Sequence, residues 1–282
     1  MSAFRKKNLQ PRNKLDTRNC PIGIFDSGIG GLTVAYAVVR LLPREQIIYF
    51  GDTAHMPYGD KSADAIRYYS LRIAKFLLEQ QCKLIVVACN SASSAAYDVL
   101  LDFFEHRTLF VNVVDPLVEE VVRSGHQHVG VIATKTTINS GIYASRLRDK
   151  VPGMQVQSLA TPLLAPMIEE GFVHDSISRS VLDTYLGDPK LEGIEALLLA
   201  CTHYPLIRRE IEDWYHHKVR ILDSTDVVAQ AVKKRLEEAG ILRTETPPPH
   251  RFYVSDYTPS FEETTRQFYG QEIHLEHLGL WN

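Results

Sequence analysis

Leu84-Ile85-Val86-Val87-Ala88-Cys89-Asn90-Ser91 and Ala196-Leu197-Leu198-Leu199-Ala200-Cys201-Thr202-His203 follow one plan: a short apolar run, then Ala-Cys, then small polar residues. Each run is too short for an ordinary helix and has no polar interruption. That is the pattern of a strand buried on both faces of a parallel sheet. Ligands in open α/β sheets bind at the carboxyl ends of the strands, so both thiols fall where chemistry is usually found. Cysteine is also a common buried small hydrophobe, a reading that fits one such thiol better than two in matching contexts.

Outward from these runs, short β-rich stretches alternate with helix-like segments, which predicts βαβ units. Strands are predicted at Ile22–Phe25, Ile47–Phe50, Leu84–Ala88 and Leu109–Val114, then at Val129–Ala133, Met154–Leu159, Ile194–Ala200 and Val219–Leu222. Helices are predicted at Asp64–Gln80, Pro116–Arg123, Asn139–Asp149, Ser176–Leu186, Pro205–His216 and Asp226–Ala239. The two sets of strands repeat approximately. Gly23 matches Gly130 at an offset of 107, Cys89 matches Cys201 at 112, and Asp115 matches Asp223 at 108.

After Thr246-Pro247-Pro248-Pro249 come a strand at Arg251–Val254, a helix near Pro259–Phe268, then Ile273–Leu275 and the apolar Leu278-Gly279-Leu280-Trp281. This end carries too little apolar mass to fold alone and is expected to pack on the first half. The fold class is therefore α/β: two pseudo-symmetric lobes with mainly parallel sheets and the active site in the cleft between them. Residues 1–20 are expected to form a flexible basic tail, 21–114 plus 223–282 the first lobe, and 115–222 the second.

Thirty-one Lys and Arg against 34 Asp and Glu leave a formal net charge of -3, which argues against nucleic acid or an anionic membrane as a main partner. No apolar run approaches the roughly 18 residues of a membrane span. The first twenty residues lack the apolar core of a signal peptide, so a cytoplasmic location is expected. Four cysteines without a Cys-x-x-Cys pair are expected to be reduced thiols rather than a disulfide framework or a metal site.

Candidate chemistry gathers at the strand ends. Phe25-Asp26-Ser27-Gly28-Ile29-Gly30-Gly31-Leu32-Thr33 has Thr33 where a dinucleotide fingerprint needs its last glycine, so a nicotinamide site is unsupported. The glycines are either a tight strand-to-helix turn or a cradle whose N–H groups meet an anion. Asp26, at the strand end, is placed to orient a group or accept a proton. The loop Gly51-Asp52-Thr53-Ala54-His55-Met56-Pro57-Tyr58-Gly59 has the makings of a binding element. His203, two residues beyond Cys201, can relay that thiol's proton. One Cys-His pair would suit an amide hydrolase. Two thiols converging from opposite lobes suit proton transfer at the two faces of one carbon.

Taken together, Ile24-Phe25-Asp26-Ser27-Gly28-Ile29-Gly30-Gly31-Leu32, Gly51-Asp52-Thr53-Ala54-His55-Met56-Pro57-Tyr58-Gly59, Ala88-Cys89-Asn90-Ser91-Ala92-Ser93 and Ala200-Cys201-Thr202-His203-Tyr204-Pro205 resemble the four hallmark motifs of the glutamate racemases. The resemblance runs in order from about Pro21 to beyond Ser224. It implies a site without metal or other cofactor that interconverts L- and D-glutamate for peptidoglycan, in a protein that is commonly a homodimer. By the same resemblance Cys89 and Cys201 are the catalytic pair, with Asp26 assisting the first and His203 the second. A further acidic residue falls in Met167-Ile168-Glu169-Glu170-Gly171, where Glu169 is favoured over Glu170. Asp26, Ser27, Pro57, Tyr58, Gly59, Cys89, Asn90, Ser91, Thr134, Cys201, Thr202 and His203 are implied to bind substrate. Ser91 stands where a threonine is usual and keeps its hydroxyl; Ala200 stands where glycine is also common. The alternatives are an aspartate or other amino-acid racemase of the same superfamily and a non-catalytic two-lobed amino-acid-binding protein.

Overall fold

A computed structural model describes residues 17–257 and 260–281. Most of the expected basic tail, and the Pro259 start of the expected last helix, lie outside them. Ten strands are described: β1 (Ile22–Asp26), β2 (Ile47–Gly51), β3 (Leu84–Val87), β4 (Leu109–Asn112), β5 (His128–Ala133), β6 (Gln155–Ala160), β7 (Ala196–Ala200), β8 (Arg220–Asp223), β9 (Arg251–Val254) and β10 (Leu275–His277). They form two sheets, β10-β9-β2-β1-β3-β4 and β6-β5-β7-β8, and every pairing is parallel. The chain leaves the first sheet after β4 and returns to it at β9, which pairs with β2.

Unbroken apolar runs become central strands because helices cover both faces of each sheet. All residues of β1, β2, β3 and β7 are buried. Side chains alternate between the two covers: Ile22 and Ile24 pack into one core with the helix Leu32–Leu41, while Phe25 joins another with Ile66, Ile73 and Leu77 of the helix Ala63–Glu79.

The repeat is visible in the register. In the first sheet Gly23 pairs with Ile85, four residues before Cys89. In the second, Gly130 pairs with Leu197, four residues before Cys201. Both cysteines therefore leave the third strand of the common β2-β1-β3-β4 and β6-β5-β7-β8 order at the same level. The third proposed match is corrected: Asp223 pairs with Leu199 as Asn112 pairs with Val87, so the counterpart of Asp223 is Asn112, not Asp115. Asn112 Oδ1 accepts from the backbone N–H of Val114 and Asp115 (2.8 and 2.7 Å), and Asp223 Oδ1 from that of Thr225 (2.9 Å). Each ends its strand by supplying an acceptor to the start of the next helix. This is why β4 stops at Asn112 rather than Val114.

The segment expected as one helix over Asn139–Asp149 is two, Lys135–Ser140 and Ile142–Lys150, broken at Gly141 with φ +68°. Pro205 opens a 3-10 turn, Tyr204–Ile207, and the α-helix proper runs over Arg208–Trp214. No helix among the described residues is long and apolar enough to cross a membrane.

Candidate active site

β1 delivers Asp26 to the cleft with no exposed surface. Its Oδ2 accepts the N–H groups of Gly28 (3.1 Å) and Gly31 (3.0 Å). The glycine turn is thus a cradle, but the anion in it is the chain's own carboxylate. A Cβ on Gly31 would stand 2.5 Å from Asp26 Cβ, which is why that position takes glycine. Burial pushes the Asp26 carboxyl above its ordinary range, opposed by the nearby His203 and by the backbone N–H groups.

Cys89 caps the helix Asn90–Phe104: its sulfur accepts the Ala92 N–H at 3.4 Å and lies 3.6 Å from Ser27 Oγ. A helix N-terminus favours a thiolate. Burial and then the Asp26 charge outweigh it, and the thiol is pushed up to about 12.

Across the cleft, Cys201 Sγ stands 3.7 Å from His203 Nδ1, and His203 Nε2 stands 2.7 Å from Glu169 Oε1. Glu169 is the carboxylate that meets the imidazole; Glu170 points to solvent. Burial alone would lower the His203 pKa, but its hydrogen bonds and charge interactions with Cys201 and Glu169 reverse this and hold it well above the ordinary histidine range. The imidazolium stands beside the Cys201 sulfur.

Both cysteines line one small cavity with Ser27, Pro57, Tyr58, Gly59, Asn90, Ser91, Thr134, Glu169, Thr202 and His203. Of the residues implied to form the site, only Asp26 lies behind its wall. The structure adds residues that sequence reasoning missed. Thr33 Oγ1 donates to the Thr202 carbonyl (3.2 Å), Thr136 Oγ1 to the Gly59 carbonyl (2.9 Å), and Tyr143 OH to Asn90 Oδ1 (2.6 Å). Ser91 Oγ lies 2.9 Å from Thr134 Oγ1. These bonds join one lobe to the other, so no local pattern could have marked Thr33, Thr136 and Tyr143. Among the described residues, no three His, Cys, Asp or Glu side chains are grouped as metal ligands.

Two thiols thus stand at matching strand ends, each beside its own ionisable partner, and both line one cavity. Comparison with known proteins gives the family. The Asp/Glu/Hydantoin racemase family matches residues 31–232. A glutamate racemase of Geobacter metallireducens is 40% identical over 259 residues, covering 89% of this chain and 93% of that relative. The glutamate racemase of Francisella tularensis, solved in complex with D-glutamate, matches with a TM-score of 0.88 at 38% identity over 94% of this chain and 99% of that one. The Escherichia coli glutamate racemase, solved with L-glutamate and the activator UDP-MurNAc-ala, matches with a TM-score of 0.70 at 25% identity over 87% and 92%. The chain belongs to the Asp/Glu/Hydantoin racemase family. It is an amino-acid racemase, an isomerase.

Proposed function

We propose that this racemase interconverts L- and D-glutamate by proton transfer between the substrate Cα and two thiols, Cys89 and Cys201, one on each face. The observation that carries the reading is that both thiols line one cavity from opposite lobes, at equivalent register positions. Glutamate as substrate is supported by relatives of the same fold that hold D-glutamate in one case and L-glutamate in another.

In the L-to-D direction Cys201, as thiolate beside the His203 imidazolium, removes the α-proton, and the electron pair stays on the substrate carbon. Cys89 then delivers its thiol proton to the opposite face, leaving Cys89 as thiolate and Cys201 as thiol. The D-to-L direction runs the same steps backwards, with the Asp26 carboxylate beside Cys89 placed to take that thiol's proton. Ser27, Asn90, Ser91, Thr134 and Thr202, with the Pro57-Tyr58-Gly59 loop, surround the substrate's carboxylates and amine. The cavity holds only about 30 Å³, where a single water needs roughly 10–15 Å³. Glutamate therefore enters with the lobes parted, and closing on it excludes water from the carbanion. The two-lobe reading places residues 21–114 and 223–282 on one side of this motion and 115–222 on the other. It extends to D-glutamate supply for peptidoglycan by a cytoplasmic homodimer.

The test is incubation with L-glutamate in D2O, following optical rotation and Cα deuterium. D-glutamate carrying solvent deuterium is expected, with net racemisation lost in both Cys89→Ala and Cys201→Ala. Near-normal racemisation by either variant would refute the paired-thiol mechanism. L-aspartate run alongside separates the two substrates.

A further inference from the structure

Asn90 is the first residue of the helix that Cys89 caps, and only 3% of its surface is exposed. Its Oδ1 accepts the Tyr143 hydroxyl at 2.6 Å, while its Nδ2 is buried with no partner. A side-chain amide has a donor end and an acceptor end, and the partner held by one end decides which end faces the ligand. Burial raises the Tyr143 phenol, which keeps it protonated and a donor. Asn90 lines the cavity, and with Oδ1 committed to that donor, Nδ2 is the end left for a ligand there. An unpaired buried N–H₂ is costly until a ligand supplies an acceptor.

Tyr143 reaches Asn90 from the other lobe. It follows the break at Gly141, where the positive φ re-aims the chain between two short helices. The same stretch supplies Thr134, beside Ser91, and Thr136, bonded to the Gly59 carbonyl. One continuous segment, 134–143, therefore touches Tyr58, Gly59, Asn90 and Ser91 of the first lobe, and Tyr143 is its buried end.

We propose that Tyr143 is a positioning residue for substrate: when the lobes close, its hydroxyl turns the Asn90 amide so that Nδ2 faces the cleft and donates to a carboxylate oxygen of the amino acid. The inference rests on the racemase reading above. Because Tyr143 belongs to the opposite lobe, the donor is correctly oriented only in the closed state, so closure and substrate recognition are coupled through one hydrogen bond.

The experiment uses the full chain and steady-state racemisation of both enantiomers, wild type first. Tyr143→Phe keeps the ring and loses the hydroxyl. KM for L- and D-glutamate is expected to rise about tenfold, the scale of one hydrogen bond, with kcat changed by less than about threefold. In an Asn90→Ala background the Tyr143→Phe change adds nothing further to KM. An unchanged KM in Tyr143→Phe, or a full additional effect in the Asn90→Ala background, overturns the inference. Should Tyr143→Phe not fold, Asn90→Asp leaves Tyr143 untouched and replaces the Nδ2 donor by oxygen. Its KM is expected to rise at least about tenfold, and a wild-type KM in that variant overturns the inference. A wild-type protein that does not racemise glutamate refutes the proposed function and this inference together, whereas an active wild type with unchanged variants refutes only the inference.

Discussion

A Cβ placed on Gly30 would stand 2.5 Å from Cε1 of His203 and 2.6 Å from Thr202 Oγ1. The glycine turn of the first lobe and the imidazole of the second are thus in direct contact, and the missing side chain is what lets the two halves of the site meet. Gly30→Ala should push His203 away from its place between Cys201 and Glu169. A displacement of that size costs on the order of 10²-fold in rate. The check is kcat/KM for L-glutamate; a variant within about threefold of wild type would show that the contact is not needed.

Glu169 raises His203 through both its hydrogen bond and its charge. Glu169→Gln keeps a hydrogen-bond acceptor and removes the charge, so the His203 pKa falls. The imidazolium is then lost at a lower pH, and the alkaline limb of the kcat/KM profile should move toward acid. A limb that stays in place would separate Glu169 from the titration of this site.

Asp26 carries a burial penalty on its charge, and its Oδ1 is buried without a partner. A carboxyl whose folded-state pKa is raised destabilises the fold once the unfolded chain would ionise it. The penalty is absent below the unfolded value, grows as pH rises toward the folded value, and is constant above that. Asp26→Asn can keep one oxygen on the Gly28 and Gly31 N–H groups and removes the charge. Its Tm should exceed that of wild type near neutral pH, with the gap closing toward pH ~4, while racemisation falls about 10²-fold. A Tm gap that does not change with pH would contradict this account.

Asp52, fully buried, accepts Tyr58 OH (2.6 Å), Ser255 Oγ (2.7 Å) and Trp281 Nε1 (2.8 Å), and lies 3.0 Å from His55 Nδ1. It ties the C-terminal segment to the loop that carries Tyr58 and Gly59 into the cleft. Asp52→Ala leaves two buried donors, Tyr58 and Ser255, and the half-buried Trp281 without an acceptor, at a cost of about 3 kcal/mol. Denaturant unfolding should show that loss, together with a raised KM as the Tyr58 loop loosens. Wild-type stability would mean that the C-terminal anchor is dispensable.

Much of this protein is legible in the chain because local physics decides it. Runs such as Ala196–Ala200 have one face pattern that a doubly covered strand satisfies, and the sequence places Cys89 and Cys201 immediately after such runs. Asp26, Ser27 and the glycine turn are likewise local, since a strand end and a helix start must be joined by residues that can turn. Where the reading slipped, short-range hydrogen bonds intervened: Asn112 ended β4 early, and Gly141 divided an expected helix. The matching of Asp115 with Asp223 failed because spacing along the chain is not register across a sheet.

The sequence alone determined the two α/β units, the level at which each cysteine leaves its sheet, and the motifs that resemble one family. Those follow from alternation, turn chemistry and residue order, which act over a few residues. Only the tertiary structure decided that the Asp26 carboxylate fills its own glycine cradle, that Glu169 rather than Glu170 meets His203, and that Thr33, Thr136 and Tyr143 reach across to the other lobe. These are contacts between residues up to 169 positions apart. Their energies exist only once two independently patterned sheets are packed face to face, with the strand ends opposed across one cleft.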